Sequence, residues 1–499
     1  MRPVVRFPPA LASLISHLAR ALGHRPAYLV GGALRDALLG RPIRDLDIAV
    51  AAPAREVGPE LARQLGGHYF PWGQHGMGRV LLPFRGETLQ VDLHPLQGPI
   101  EEDLRSRDYT IDAMALPLQQ WEGPDGAIID PLGGLDDLQQ GLVRLTSPQA
   151  LTEDPIRLLR GVRLACELGF RLEEETARLI SAHCHLLPLA APERQRDELV
   201  RIMATERAGE GLAIMDQLGI LGILLPELEP ARGFPQPPEH HWDVLGHLLA
   251  TVSYLDVLLA HEPLTLHHLW EDLWSTLGPL GEEVRRYLAE ETAPGHPRKA
   301  LVKMAGLLHD VAKPSTRTVD AQGRVRFFGH DKVGATVAAA IMARLRFSRR
   351  QGEVVATMVR AHLRPMHMSH NGLPTPRAIF RFFRDCGEAA YGVLLLSLAD
   401  HLATVGPSLR AEEWLSHVQL VHYVLTEGAR PRGVARRARL VSGHDIMEAL
   451  GIPPGPLVGR ILRALEEAQA IGQVTTRQEA LELAGRLLSR WSEREAEVR

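Results

Sequence analysis

Two aspartates stand two residues apart in Arg44-Asp-Leu-Asp-Ile-Ala-Val50, in a stretch whose residues favour a strand. Strand side chains alternate faces, so Asp45 and Asp47 project on one side while the apolar run from Ile48 to Ala51 anchors the strand. Two carboxylates held together repel, and a divalent cation relieves the repulsion. Cations paired roughly 4 Å apart can hold the attacking and leaving oxygens of an in-line phosphoryl transfer. A solvated acidic turn is the alternative for an isolated Asp-x-Asp. Upstream, Tyr28-Leu-Val-Gly-Gly-Ala-Leu-Arg-Asp-Ala-Leu-Leu-Gly40 runs an apolar strand into Gly31-Gly32 and then a helix, which places bare backbone amides and Arg35 at the helix start. Unpaired N–H groups and the helix dipole attract phosphate there. Taken alone, Gly-Gly also fits a tight strand-to-helix turn.

A second constellation lies further on. His309-Asp310 follows apolar residues on a helical face in Met304-Ala-Gly-Leu-Leu-His-Asp-Val-Ala-Lys313, with His247 upstream and Asp400 downstream. Two imidazoles and two carboxylates at the ends of packed helices form a mixed nitrogen and oxygen site for a divalent transition metal or Mg²⁺. Such an ion acidifies water for phosphoester hydrolysis. With 23 histidines in the chain, isolated core histidines are the alternative, and His240 or His241 could stand in for His247.

The elements that must position these groups follow from length and pattern. At 499 residues the chain is too long for one small module, and 45% hydrophobic with 23% charged residues is an ordinary globular composition. The formal charge of −4 leaves a polyanionic partner to local basic patches. Arg377, Arg381 and Arg384 on one helical face, and Arg430, Arg432, Arg436, Arg437 and Arg439, are such patches; a solvated charged face is the alternative for each. Cys166, Cys184 and Cys386 are too few and scattered for a disulfide framework or zinc site, which fits a reducing cytosol. The segment Val4 to Leu22 reads as an amphipathic helix rather than a signal peptide, and no apolar run approaches the ~20 residues of a membrane span. A cytoplasmic protein with no membrane partner is expected.

Beta-type runs at Ala27 to Val30, Asp47 to Val50, Arg79 to Pro83 and Leu89 to Leu93 alternate with helical stretches, and from Ser147 onward helices dominate. Breaks at Pro226 to Pro238 and Ala429 to Leu440 complete an α+β organisation: an α/β head (1–145), an all-α neck (146–230), a helical body (231–405) and a helical tail (406–499).

LVGGALRDALLG followed by RDLDIAV resembles the first motif of polymerase-beta-type nucleotidyltransferases, in the branch of bacterial CCA-adding enzymes and poly(A) polymerases. Asp103-Leu-Arg-Ser-Arg-Asp-Tyr-Thr-Ile-Asp-Ala-Met-Ala115, Asp130-Pro-Leu-Gly-Gly-Leu-Asp-Asp-Leu138 and Glu153-Asp-Pro-Ile-Arg-Leu-Leu-Arg160 with Arg163 resemble the later motifs, in order. The resemblance implies that Asp45 and Asp47 bind Mg²⁺, that Gly31, Gly32 and Arg35 hold a triphosphate, and that Arg107, Asp108 and Asp112 contact phosphates and ribose. It assigns Asp154 and Arg157 to the base edge, with Arg160 and Arg163 completing the nucleotide site. Asp92 is a third carboxylate, as base or metal ligand. Ser106 and Asp112 depart from the usual second motif, and an arginine common after the Asp92 strand is missing.

Asp154 and Arg157, spaced i, i+3, are expected on one helix face, where a carboxylate accepts from an exocyclic amino group and a guanidinium donates to a ring acceptor. Cytosine and adenine offer that order; guanine and uracil reverse it. An ordinary surface ion pair is the alternative. The implied reaction is template-independent addition of C and/or A, from CTP and ATP, to the 3′ end of tRNA. CC-only, A-only or poly(A) addition stay open, as does oligomeric state. The body resembles HD-domain phosphohydrolases, with metal ligands His247, His309, Asp310 and Asp400 and with His330 and His362 matching additional histidines. The alternative is therefore a phosphohydrolase with a nucleotide-sensing head. Ser442-Gly-His-Asp-Ile-Met and the segment from Gly451 to Arg460 resemble the tail of longer bacterial members.

Overall fold

The computed structural model describes the chain apart from residues 1–4, 6, 72–75, 97, 121–126, 371, 430–439 and 498–499. It divides into two compact units, Met1–Pro226 and Glu227–Arg499. The fold is α+β, as its residue pattern implies: one six-stranded mixed sheet near the N-terminus, then mostly helices with three short two-stranded pairs among the described residues.

In the first unit the main sheet is formed by β1 (Ala27–Val30), β2 (Asp45–Val50), β3 (His68–Pro71), β4 (Gly78–Phe84), β5 (Glu87–Pro95) and β6 (Ala115–Pro117), in spatial order β3-β4-β5-β2-β1-β6, and a separate parallel pair joins Leu142–Val143 to Arg171–Leu172. All neighbours in the main sheet run antiparallel except β2 and β5. The period of two is clearest in β2. Leu46 and Ile48 are fully buried, while Asp45 is exposed and Asp47 half-buried on the other face. Register then places Asp47 opposite Val30 on one side and opposite Asp92 on the other. The turn leaving β1 and the carboxylate of β5 thus flank the Asp-x-Asp strand.

Four strands match apolar runs evident in the sequence. Edge strand β3 and the three-residue β6 do not, because β3 is short and mostly exposed and β6 supplies too few residues for a period. Beyond the sheet, the apolar stripe of Ile156, Leu159, Val162, Leu164 and Cys166 is buried where the Arg157–Leu168 helix packs on the Pro192–Ala204 and Ala208–Gln217 helices.

The second unit is built on the Val244–Leu259, Arg298–Leu308, Arg349–Ala361 and Ala390–Val405 helices, whose contacting faces carry aliphatic residues. The helical stretch Pro376–Ser408 has an 18-residue window of mean hydropathy 1.4, yet 72% of that window is buried inside the protein, as befits a core helix. A small core of Val441, Ile446, Ile461, Leu465 and Ala484 joins the Gly443–Leu450, Pro456–Ala470 and Arg477–Glu497 helices. Arg377, Arg381 and Arg384 stay partly exposed, and the first two also pack against the tail. The Nε atoms of Arg377 and Arg381 lie 2.6 and 2.8 Å from the two oxygens of buried Glu467, clamping the Pro376–Cys386 helix to the tail, and Arg384 pairs with Asp385. The second arginine patch, Arg430 to Arg439, lies outside the described residues.

Candidate functional site

The turn out of β1 is set by Gly31, whose φ of +68° favours glycine. A Cβ there would meet Asp47 Oδ2 at 3.0 Å and Arg107 Nη1 at 3.5 Å, so the bare backbone, the carboxylate and the guanidinium share one corner. Gly32 faces Arg35, whose Nη2 would lie 3.2 Å from an added Cβ. Asp47 Oδ1 is 3.3 Å from His94 Nε2. Asp45 is pushed up from the usual carboxylate range, first by partial desolvation and then by the charges of Asp47 and Asp92. That repulsion is what a bound cation would relieve, so the pair fits a divalent metal.

Asp92 is placed differently. Arg79 Nε and Nη2 reach its two oxygens at 2.8 and 3.0 Å, and Gln90 Nε2 donates to Oδ2 at 3.0 Å. Arg79 and Asp92 are direct cross-strand partners of β4 and β5, a pairing latent in the two apolar runs. Asp92 therefore contributes charge next to Asp45 while its own oxygens are engaged.

Several residues that the resemblance ties to nucleotide are engaged within the protein. Buried Arg35 donates from one nitrogen, Nη1, to both Asp112 oxygens at 2.7 and 3.0 Å and from Nε to Asp36 at 2.9 Å. Buried Asp108 accepts from the Tyr109 N–H at 2.9 Å and from Arg160 Nη1 at 2.6 Å. Desolvation works against its charge, but Arg160 holds it below the usual carboxylate range. Arg163 Nε lies 3.0 Å from buried Glu198, which also meets Arg160 Nε at 3.4 Å. These groups form a lock between the Asp108 loop and the helix layer. Arg107 stays at the corner beside Gly31, with Nε and Nη2 on Asp103 at 3.2 and 3.1 Å.

Asp154 and Arg157 do not share a helix face. The Arg157–Leu168 helix begins at Arg157, and Asp154 (φ −145°, ψ 96°) closes the short Ala150–Glu153 helix before it. Pro155 explains the break, since the residue before a proline is steered away from helical backbone. The two stay neighbours through the turn bond from Arg157 N–H to Asp154 C=O, 3.0 Å. Arg157 is pinned by the Ala150 carbonyl at 3.1 Å, the Ser106 carbonyl at 3.2 Å and Glu153 at 3.3 Å. Asp154 is gripped by Arg194 at 2.9 and 2.7 Å. Arg194 was not apparent in the sequence, being 40 residues away.

In the second unit His247, His309, Asp310 and Asp400 bring one ligand atom each to within 4.8 Å of one another, and Asp310, His330 and His362 do the same. His247 Nε2 is 3.1 Å from both His309 Nε2 and Asp400 Oδ1. Asp310 Oδ2 lies 3.2 Å from His309, and Oδ1 lies 3.2 Å from His330 and 3.7 Å from His362, so one carboxylate joins both groups. His309, His330 and His362 each donate Nδ1–H to the carbonyl three residues back, at 2.7 to 2.8 Å, which aims every Nε2 inward. Burial lowers the His309 pKa, but the negative charges of Asp310 and Asp400 outweigh it and push the imidazole up to about 10. Desolvation opposes the charge of Asp310, yet Lys313, 2.6 Å from Oδ2, and His309 keep it well below the usual carboxylate range. The donor set and its pinned orientation fit a divalent cation. His247, rather than His240 or His241, completes this cluster: His240 stands beside Lys313 at 3.4 Å, and His241 packs against Trp242. Among the described residues, no other His, Cys, Asp or Glu group of three or more converges this closely.

Known proteins resemble this chain along most of its length. The Poly A polymerase head domain matches residues 27–144, and the RNA and SrmB binding site of polymerase A matches 169–232. An HD domain matches 281–405, a window that His247 precedes, and a tRNA nucleotidyltransferase domain 2 matches 433–484. The CC-adding tRNA nucleotidyltransferase of Thermus thermophilus is 37% identical, across 91% of this chain and 92% of its own length. The chain belongs to the family of CCA-adding tRNA nucleotidyltransferases. The A-adding tRNA nucleotidyltransferase of Deinococcus radiodurans, 35% identical, is covered over 96% of its length and 94% of this chain. Among solved structures, an apo CCA-adding enzyme superposes with a TM-score of 0.61 over 96% of this chain and 94% of its own, at 20% identity. The Thermotoga maritima CCA-adding enzyme, solved with tRNA, gives 0.58 at 20% identity, over 97% of each chain. These show that the family's fold is retained.

Proposed function

We propose that this chain adds C and/or A from CTP and ATP to the 3′ end of tRNA, without a template and with release of pyrophosphate, in the cytoplasm. The carrying observation is the corner where Asp45 and Asp47 project from β2 beside the bare backbone of Gly31 and the guanidinium of Arg107. Asp45 and Asp47 would hold Mg²⁺, which when bound supplies the charge that steadies the attacking and leaving oxygens of an in-line transfer. The Gly31-Gly32 turn and Arg107 receive the triphosphate, leaving its α-phosphate beside the aspartates for attack by the terminal ribose hydroxyl. Asp154 and Arg157 read the base edge. Arg35, Asp108, Asp112, Arg160 and Arg163 act as positioning residues through the pairs described above, and Asp92, engaged by Arg79, sets the charge felt by Asp45. A head, neck, body and tail bounded near 145, 230 and 405 remains the working division.

The test is incubation of tRNA trimmed at its 3′ end with each nucleoside triphosphate singly, in Mg²⁺ and in excess chelator. C or A incorporation that requires the metal is the expected result, and the pattern separates CCA, CC-only and A-only addition. Failure to incorporate either nucleotide overturns the reading, and ATP-only extension by many residues on generic RNA would make the chain a poly(A) polymerase.

The converged histidines favour a second activity in the body. His247, His309, Asp310 and Asp400 would hold a divalent ion that activates water for phosphoester hydrolysis. Release of phosphate or a nucleoside from a model phosphoester by the wild type, and none by His309→Ala, is the expected result; equal rates overturn it.

A further inference from the structure

We infer that Arg194 is a specificity-determining positioning residue, holding the Asp154 carboxylate in the one orientation that admits an exocyclic amino group and refuses a ring N–H. The inference rests on the reading that Asp154 and Arg157 face the base edge. Arg194 belongs to the first turn of the Pro192–Ala204 helix, and its two terminal nitrogens meet the two Asp154 oxygens at 2.9 and 2.7 Å.

Such a fork fixes the carboxylate plane as well as its position. Asp154 needs that help. It sits in extended backbone between two helices, with no helical turn of its own to hold the side chain, and its side chain is 26% exposed. Arg157 is already immobilised by two main-chain carbonyls and Glu153. With Arg194 in place, both members of the base-reading pair have fixed directions.

The fixed direction matters because uracil places a donor, N3–H, between two acceptors. A pyrimidine moved by one ring position would then offer N3–H to a carboxylate and O2 to a guanidinium. A swinging Asp154 can follow that move; a forked one cannot. The fork occupies one lone pair on each oxygen and leaves the outer ones pointing in set directions. Folding does not rest on the pair, since an ion pair this exposed, with Arg194 at 48%, contributes little to stability.

The experiment measures kcat/KM for CTP and UTP on trimmed tRNA with the wild type, Arg194→Ala, Arg194→Lys and Asp154→Ala, each checked for folding by circular dichroism. A merely structural lesion lowers both substrates together, whereas loss of the fork lowers the CTP-to-UTP ratio. We expect the ratio to fall about tenfold, equivalent to about 1.4 kcal/mol, in both Arg194 variants, because lysine keeps the charge but not the fork. An unchanged ratio in Arg194→Lys or Arg194→Ala, with a reduced ratio in Asp154→Ala, overturns the role of Arg194 and leaves the base-reading pair standing. An unchanged ratio in Asp154→Ala overturns the base-edge reading itself, and the inference with it.

Discussion

Gly31→Ala separates the position of the head carboxylates from the stability of the head. Gly31 has φ +68°, and an L-residue held there costs about 1–2 kcal/mol. Its added Cβ would also lie 3.0 Å from Asp47 Oδ2, so the carboxylate must retreat by a few tenths of an ångström. Misplacing a reacting group by about 1 Å can cost about a hundredfold in rate, so a retreat of that size predicts roughly tenfold. Gly66→Ala is the matched control. Gly66 closes the Ala54–Leu65 helix at φ 70° and has nothing within 4 Å of an added Cβ. Both variants should lose about 1–2 kcal/mol in thermal or urea unfolding. Single-turnover incorporation of CTP and ATP into trimmed tRNA should fall about tenfold only in Gly31→Ala. Equal incorporation by the two variants would refute the claim that this turn is shaped around Asp47.

Other outcomes follow from pairs found in the fold. Arg35→Ala leaves Asp112, only 14% exposed, without its guanidinium partner and should cost about 3 kcal/mol in urea unfolding, with Arg35→Met/Asp112→Leu costing clearly less. Glu467→Ala should speed hydrogen exchange in the Pro456–Ala470 helix while lowering stability by no more than about 1 kcal/mol per lost pair, because Arg377 and Arg381 are half-exposed. Burial, and then the neighbouring His401, depress His417 from 6.5 to about 4. A depressed histidine stabilises above its unfolded pKa, and that contribution is lost as pH falls from about 6.5 towards 4, by up to about 3 kcal/mol. His417→Leu should flatten that part of the stability profile, measured by urea titrations at each pH.

What the sequence made legible was local. Asp45 and Asp47 declare themselves because a period-two strand puts them on one face, and the apolar stripe from Ile156 to Cys166 announces its helix in the same way. The body histidines could be ordered along the chain, but only packing shows that Asp310 joins two groups and that Lys313 rests on it. Partners far apart in sequence were illegible for one physical reason: a charged side chain looks the same whether it faces solvent, RNA or a buried carboxylate. Arg35 turns to Asp112, Arg381 to Glu467 and Arg194 to Asp154, across 77, 86 and 40 residues. Spacing also misplaced Asp154, where Pro155 breaks the helix that an i, i+3 pattern suggests. Arg79 and Asp92 could have been paired in advance, since both lie on strands evident in the sequence and meet in direct register.

The central claim is that nucleotide addition belongs to the aspartates of β2 and not to the histidine cluster. The direct measurement is Mg²⁺-dependent incorporation of labelled CTP and ATP into trimmed tRNA by Asp47→Ala and by Asp310→Ala, each confirmed folded. Incorporation should vanish in the first and persist in the second. Persistence in Asp47→Ala, or its loss in a folded Asp310→Ala, would contradict the account.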